Sequence, residues 1–298
     1  MDPRCGVAAS PTGCDARAAC RHVKGAVLTT HLTVTRTETL APRLRRVWFH
    51  SEDLSAFAES AYTDRYVKLV FPKDGVSYPE PFDMRSLRHA LPPEDLPVVR
   101  TYTALFPDLA AGTMAIDFVL HGDEGVAGPW AAAAVPGERL MVNGPGGGYR
   151  PDTSADWHLL AGDESALPAI TAALTELPAT ALARVVAVVD SPAHELDLPV
   201  PENGEVIYVH RHTTAPESPL LAAVRAMDWL PGRVHAFVHG EAQEIMHEVR
   251  PHLLTERRVG REQLSISGYW RRGRSEEGFR VWKSELARSG GTTTRTRP

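Results

Sequence analysis

The sequence predicts a β plus α/β chain in which a six-stranded antiparallel barrel is followed by a parallel sheet carrying helices on both faces. Three observations support this. Between residues 26 and 144 six runs alternate in polarity and are rich in β-branched side chains. After Pro151 strand-like runs alternate with helical ones, the rhythm of a parallel sheet with crossover helices. A glycine-dense stretch, GPGGGY at residues 144–149, lies where one rhythm gives way to the other.

The expected barrel strands are AVLTTHLTVTRTETL, RLRRVWFHS, YVKLVFP, VVRTYTALFPD, TMAIDFVLH and ERLMVNG. One helix-like interruption, GPWAAAAV, separates the fifth from the sixth. Six strands with turn residues between them suit a small closed barrel, which leaves no edge unpaired. In the second half, WHLLAGD leads into SALPAITAALTEL. ARVVAVVD, EVIYVHR, SPLLAAVRAMDWL, RVHAFVHGE, AQEIMHEVRPHLL, EQLSISGYW and EEGFRVWKSELAR follow. The division expected is a flexible tail over residues 1–24, the barrel domain over 25–150, the α/β domain over 151–288 and a second flexible tail over 289–298.

The 298 residues suffice for about two domains. A formal charge of −5 excludes broad nucleic-acid binding, which relies on cationic surface. No apolar run is long enough to cross a bilayer, and residues 1–24 lack the apolar core of a secretory signal, so the expected location is cytoplasmic. All three cysteines, Cys5, Cys14 and Cys20, fall in that first segment at spacings that match no zinc pattern. It reads as a disordered tail or the product of a misplaced start codon.

GPGGGY invites comparison with a phosphate-binding glycine loop. Tyr149 takes the place of the third glycine, and RPDTSAD after it has no helical period, so the stretch reads as an interdomain turn. Better phosphate candidates lie on either side of it, at Gly125–Gly128 and at Gly162–Ala166. LLAGDESA and AFVHGEA each end a strand in small residues running into a helix, at the sheet edge where open α/β folds bind ligands. Backbone N–H groups at such helix starts can face a phosphate, although the same residues also make ordinary helix caps.

In the barrel half, the period of a strand puts Arg100 and Tyr102 of RTYT on one face, a cation and a flat ring suited to a charged aromatic ligand. His121 ends the next strand, and the small residues from Gly125 to Gly128 open the helix of Trp130, a second place for a pyrophosphate. Taken singly, these side chains read equally as a surface cation, a packing ring and a core aromatic. Two decoys fall away. HEVRPH carries its second histidine at i+5, out of reach of a shared zinc in a regular helix, and GDESA lacks the spacing of a hydrolase nucleophile elbow. No metal site is expected.

Together, RTYT, HGDEGVAGPWAAAAVPGE, GPGG, ADWHLLAGDESALPAI, FVHGEA and SGYWRRGRSEEG resemble the siderophore-interacting protein family, flavin-dependent ferric-siderophore reductases of the ferredoxin-reductase-like superfamily. The resemblance runs unbroken over residues 26–288 and implies an FAD-binding barrel followed by a nicotinamide-nucleotide domain. It implies that Arg100, Tyr102 and Thr103 hold the flavin phosphates and ring. His121, Gly125, Ala127, Gly128 and Trp130 are implied on the diphosphate and adenosine side. Val126 and Gly128 replace the family's usual proline and serine, so a hydroxyl contact is lost. Gly162, Asp163, Glu164, Ser165 and Ala166 are implied to lie by the nicotinamide nucleotide, and Lys68 and Arg271 to face the ferric-siderophore pocket. Many relatives also carry a basic residue after the Gly-Pro pair, where this chain has Gly146.

The implied activity passes electrons from NADPH or NADH through FAD to siderophore-bound Fe(III), with ferredoxin open as an alternative donor. Arg184, Arg211 and His212, near the ends of the second and third α/β strands, are candidates for a 2′-phosphate. No protein acid, base or nucleophile is obligatory in outer-sphere electron transfer, so no catalytic residue is assigned. The alternatives are a flavin-dependent diaphorase or oxygenase-partner reductase, and a siderophore-binding protein without turnover.

Overall fold

The computed structural model describes residues 29–79, 82–122, 125–211, 218–274 and 278–279. The two expected tails with their cysteines, His212 and most of the segment after residue 274 lie outside the described residues.

The first half is a closed six-stranded barrel. Its strands are β1 (Thr29–Ala41), β2 (Leu44–His50), β3 (Tyr66–Phe71), β4 (Val98–Asp108), β5 (Thr113–Val119) and β6 (Arg139–Gly146). They join antiparallel in the order β1-β2-β5-β4-β3-β6, and β6 pairs back with β1. Alternation does the sorting. On β3, Val67 and Leu69 are buried in the barrel core while Tyr66 and Lys68 face out. Val34, Val47, Phe49, Ile116, Phe118 and Val142 complete that core from the other strands.

Two helices interrupt the barrel, not the one that GPWAAAAV announces. Helix α1 (Met84–Ala90) follows β3, and α2 (Ala127–Ala133) follows β5. Asp83 caps α1 by accepting from the backbone N–H groups of Arg85 and Ser86. Leu87 alone is deeply buried on it, too little apolar periodicity to announce a helix. The signal that could have found α1 was Asp83 itself, with Arg88 and His89 in the last turn.

The second half is a five-stranded parallel sheet of β7 (Trp157–Asp163), β8 (Leu182–Val189), β9 (Asn203–His210), β10 (Val234–Glu241) and β11 (Leu264–Trp270), in the order β11-β10-β7-β8-β9. Every residue of β7 is buried, as expected for a central strand covered on both faces. One face packs against α3 (Leu167–Glu176) and the other against α4 (Pro219–Ala226) and α5, which starts at Ala242–Glu244 and continues in wide π turns over Ile245–Val249 and His252–Glu256. These turns carry His247 and His252 of HEVRPH. His252 is buried, with Nδ1 2.9 Å from Glu256 and Nε2 accepting from Arg257.

Helix α3 joins the halves. Eight of its ten residues, Leu167 to Leu174, are buried, with only its last turn, Thr175 and Glu176, polar and outside. One side faces the sheet; Ala172 packs on Leu105 of β4 and Ala115 of β5. The crossing from barrel to sheet is clamped beside it. Asp64 accepts from the N–H groups of Gly148 and Tyr149, both at 2.9 Å, and the N–H of Thr63 donates to the carbonyl of Tyr149. The Tyr149 ring is buried, stacks on His235 and packs at a tilt against Phe237. This explains the tyrosine in place of a third glycine: it anchors the crossing in the core of the second half.

Two histidines near that anchor make this half acid-sensitive. Burial lowers the pKa of His158 to about 4, helped by His235 and Arg233 and opposed by Asp152. Burial also lowers His235, whose Nδ1 accepts the N–H of Asp152. A folded-state pKa below the unfolded value means the neutral form is favoured by folding. The contribution is complete above pH ~6.5 and lost as pH falls toward about 4. We expect thermal unfolding at pH 4.5 to show a loss on the order of 2 kcal/mol that His158→Asn reduces; equal acid sensitivity in both proteins would contradict this origin.

Candidate functional site

The sequence-predicted cofactor residues fall at three places. The first is the inner end of β4. Register sets Arg100 opposite Leu69, and Tyr102 opposite Val67, so both lie on the inward-facing side of the strand, and Thr103 faces out opposite Tyr66. Arg100 is half-buried and donates to the Val99 carbonyl at 3.0 Å. The Tyr102 ring lies 4.6 Å from that of Phe118, centroid to centroid.

The second place is the start of α2. Gly125 has φ +80, a conformation glycine adopts without strain, and open space where a Cβ would point. Among the described residues no side chain caps the helix at its N-cap, Val126, next to its first N–H groups at Ala127 and Gly128. A Cβ at Gly128 would meet only the Val119 carbonyl, at 3.8 Å. Trp130 packs among Phe49, Phe71 and Phe118. Its ring is thus part of the barrel plug, and its direct effect is to fix α2 against the strands.

The third place is the carboxyl edge of the sheet. Gly162 admits no side chain, since a Cβ there would stand 2.2 Å from the His239 carbonyl and 2.6 Å from Ala166. Asp163, 4% exposed, gathers three strand ends. Its Oδ1 accepts from the N–H (2.9 Å) and hydroxyl (2.5 Å) of Ser165, and its Oδ2 from the N–H of Glu241 (3.0 Å) and the indole Nε1 of Trp270 (2.7 Å). The Ala166 N–H bonds the Asp163 carbonyl. The expectation that the backbone donors of GDESA face a phosphate is therefore corrected for Ser165 and Ala166, which turn inward. Glu241 closes the second turn in the same way, accepting from the N–H groups of Glu244 and Arg272.

Glu164 points instead into a cavity of about 90 Å³ between the halves, lined also by His121, Arg43, Asp190, His194 and Arg211. Arg211 ion-pairs with Glu164, and Arg43 of the barrel reaches Asp190 of the sheet domain at 3.4 Å. The cavity thus joins His121 of the barrel to Glu164 of the sheet edge. Sequence reasoning missed Arg43, Asp190 and His194, which become neighbours only through this packing. Arg184 is corrected as a 2′-phosphate candidate: it lies in the amino-terminal half of β8 and pairs with Glu205 at 3.0 Å, at the opposite end of the sheet from Arg211.

Lys68 stands exposed on β3 with its ammonium 5.9 Å from the centre of the Tyr66 ring. Arg271 follows β11, and its guanidinium donates to Gln243 at 2.9 Å. Partial burial first, then the charges of Asp64 and Asp163, raise the Tyr269 phenol above its ordinary range.

A closed antiparallel barrel followed by a parallel sheet with helices on both faces is the ferredoxin-reductase-like fold. The ferredoxin reductase of carbazole 1,9a-dioxygenase shares the fold at TM-score 0.58, with 16% identity over 82% of the chain. Residues 33–149 match the siderophore-interacting FAD-binding domain and residues 155–273 the siderophore-interacting protein domain. The chain belongs to the siderophore-interacting protein family. An uncharacterized protein of Mycobacterium tuberculosis is 49% identical over 85% of this chain and 94% of its own. The ferric vibriobactin reductase ViuB of Vibrio cholerae is 32% identical over 83% and 91%. The crystal structure of a siderophore utilization protein from T. fusca superposes with TM-score 0.70 at 33% identity, over 83% of this chain and 94% of that one.

Proposed function

We propose that this protein is a cytoplasmic ferric-siderophore reductase that takes electrons from NADPH or NADH through FAD and delivers them to siderophore-bound Fe(III). The observation behind the reading is the packing of α3 on β4. Ala172 of the helix that follows Glu164 and Ser165 packs on Leu105 of the strand that carries Arg100, Tyr102 and Thr103, which supports flavin and nucleotide sites on adjoining elements. The similarity to a relative named ferric vibriobactin reductase supports the acceptor. The domain division we propose is 25–150 for FAD and 151–288 for the nucleotide.

The residues present suit FAD. Arg100 supplies a cation for a phosphate, and Tyr102 and Thr103 a ring and a hydroxyl. Gly125 leaves open space beside α2, whose N–H groups at Ala127 and Gly128 are oriented for an anion. His121 stands at the mouth of the interdomain cavity. When bound, the flavin supplies the conversion between a two-electron donor and a one-electron acceptor. The chain's own groups bind and orient; none needs to move a proton for the metal to be reduced. Glu164 and Arg211 flank the nucleotide cleft, with Asp163 as the positioning residue behind them. Lys68 and Arg271 concentrate anionic ferric chelates despite the chain's negative net charge. Because siderophores hold Fe(III) through hard oxygens, reduction loosens the metal.

Two outcomes check the assigned roles. Gly128→Ser restores a hydroxyl where the backbone has room, so FAD should bind about 2- to 10-fold more tightly by fluorescence titration; weaker binding would place the diphosphate elsewhere. Lys68→Gln and Arg271→Gln should raise KM for an anionic ferric siderophore more than for a neutral one, and equal effects would remove their electrostatic role. The function itself is tested by mixing the yellow protein with NADH or NADPH under anaerobic conditions. Bleaching of the flavin band by either nucleotide supports the donor, and bleaching by neither contradicts it.

A further inference from the structure

Two exposed tyrosines, Tyr66 on β3 and Tyr62 just before it, have no part in the chemistry above. Among the large apolar side chains of the described residues, five are strongly exposed, and two of these, Tyr62 (43%) and Tyr66 (41%), stand four residues apart against consecutive glycines of the GPGGGY strip. The glycines there exist for these rings. A Cβ on Gly146 would stand 2.3 Å from the Tyr66 ring, and a Cβ on Gly147 would stand 2.4 Å from Tyr62. Each ring therefore lies against bare backbone on one side. Covering a glycine requires only one face of a ring; at this exposure the remaining surface is open to solvent.

Position and charge point to a ligand. Tyr66 pairs across the sheet with Thr103 on one side and Gly146 on the other, so it adjoins the strand of the flavin residues on the outer face. Lys68, on the same face of β3, holds its ammonium 5.9 Å from the Tyr66 ring centre and has no ion-pair partner among the described residues. A cation beside an exposed ring held on bare backbone, with a second such ring on the next glycine, suits a planar, anionic, π-bearing group. Tyrosine loses little conformational freedom on binding, and rings already seated on glycine lose less.

We propose that Tyr62 and Tyr66, seated on Gly146 and Gly147 beside Lys68, form a stacking subsite for the aryl groups of ferric chelates, selecting catecholate or phenolate siderophores over purely aliphatic ones. This deepens the ferric-siderophore reading and rests on it for the identity of the ligand. The two claims separate experimentally because binding of a redox-inert chelate needs no electron transfer.

The test uses the FAD-loaded full chain and two gallium(III) chelates of equal charge and identical donor atoms, tris(benzohydroxamate) and tris(acetohydroxamate), which differ in the aryl ring. The wild-type protein should bind the benzo complex more tightly by quenching of intrinsic fluorescence. Tyr66→Ala and Tyr62→Ala should each weaken it about 3- to 10-fold, leave the aceto complex within about 2-fold, and leave FAD content unchanged. Tyr66→Phe should retain the preference. Equal binding of the two complexes by the wild type, parallel losses for both complexes, or loss of FAD from Tyr66→Ala would overturn the subsite. If the aryl preference holds and the iron(III) complexes still fail to reoxidise reduced flavin, the reductase reading fails while the subsite stands.

Discussion

Arg100→Ala should purify largely colourless. Arg100 sits half-buried on the inward side of β4, held by the strand register opposite Leu69, with an internal hydrogen bond to the Val99 carbonyl that orients the guanidinium. A charge-assisted contact to a phosphate contributes about 1.5 to 3 kcal/mol, which corresponds to roughly 10- to 100-fold in FAD affinity. Arg100→Lys keeps the charge but not the planar fork, and should fall between the two. The ratio of flavin to protein absorbance after gel filtration, followed by titration of the apoprotein with FAD, measures both. Full flavin occupancy in Arg100→Ala would remove this residue from the phosphate site.

Asp163→Ala should produce the largest stability loss of any single change at the site. Four donors from three strand ends converge on one buried carboxylate, and removing it leaves the Trp270 indole and the Glu241 N–H without their acceptor. Stranded buried donors cost about 1 to 3 kcal/mol each, so a loss of about 3 kcal/mol or more is expected. For a domain of this size that lowers Tm by roughly 6 to 12 °C. The barrel does not depend on Asp163, so FAD content should persist while reduction by NAD(P)H is impaired. A variant with wild-type Tm would show that the strand ends are held by packing alone. Loss of FAD in step with stability would show that barrel and sheet unfold as one unit.

The sequence made the barrel legible because burial in a barrel follows the two-residue period of each strand. Val67 and Leu69 inside, with Tyr66 and Lys68 outside, are readable from YVKLVF without any partner strand. The parallel strands were readable for a different reason, as apolar runs spaced by helices, and α3 was marked by its largely apolar run from Leu167 to Leu174. Helix α1 escaped because one buried leucine makes no periodicity. The role of Asp163 escaped because its partners at Glu241 and Trp270 are 78 and 107 residues away. From sequence, GDESA is a helix start suited to an anion; in the fold its serine and alanine donors serve the aspartate. GPGGGY was readable as a turn between halves. Its other features depend on remote residues: Tyr149 on the rings of His235 and Phe237, and Gly146 and Gly147 on the tyrosines that lie over them.

The central claim is electron delivery to chelated iron, and a single anaerobic measurement bears on it most directly. The protein is first reduced with one equivalent of NADPH or NADH, or photochemically if neither reacts, and then mixed in a stopped-flow instrument with a panel of ferric siderophores. A ferrous chelator is included to trap the product. Return of the yellow oxidised flavin, with trapped Fe(II) appearing at two per flavin, is the predicted result. Flavin that stays bleached with every ferric siderophore, yet reoxidises with quinones or other acceptors, would contradict the claim.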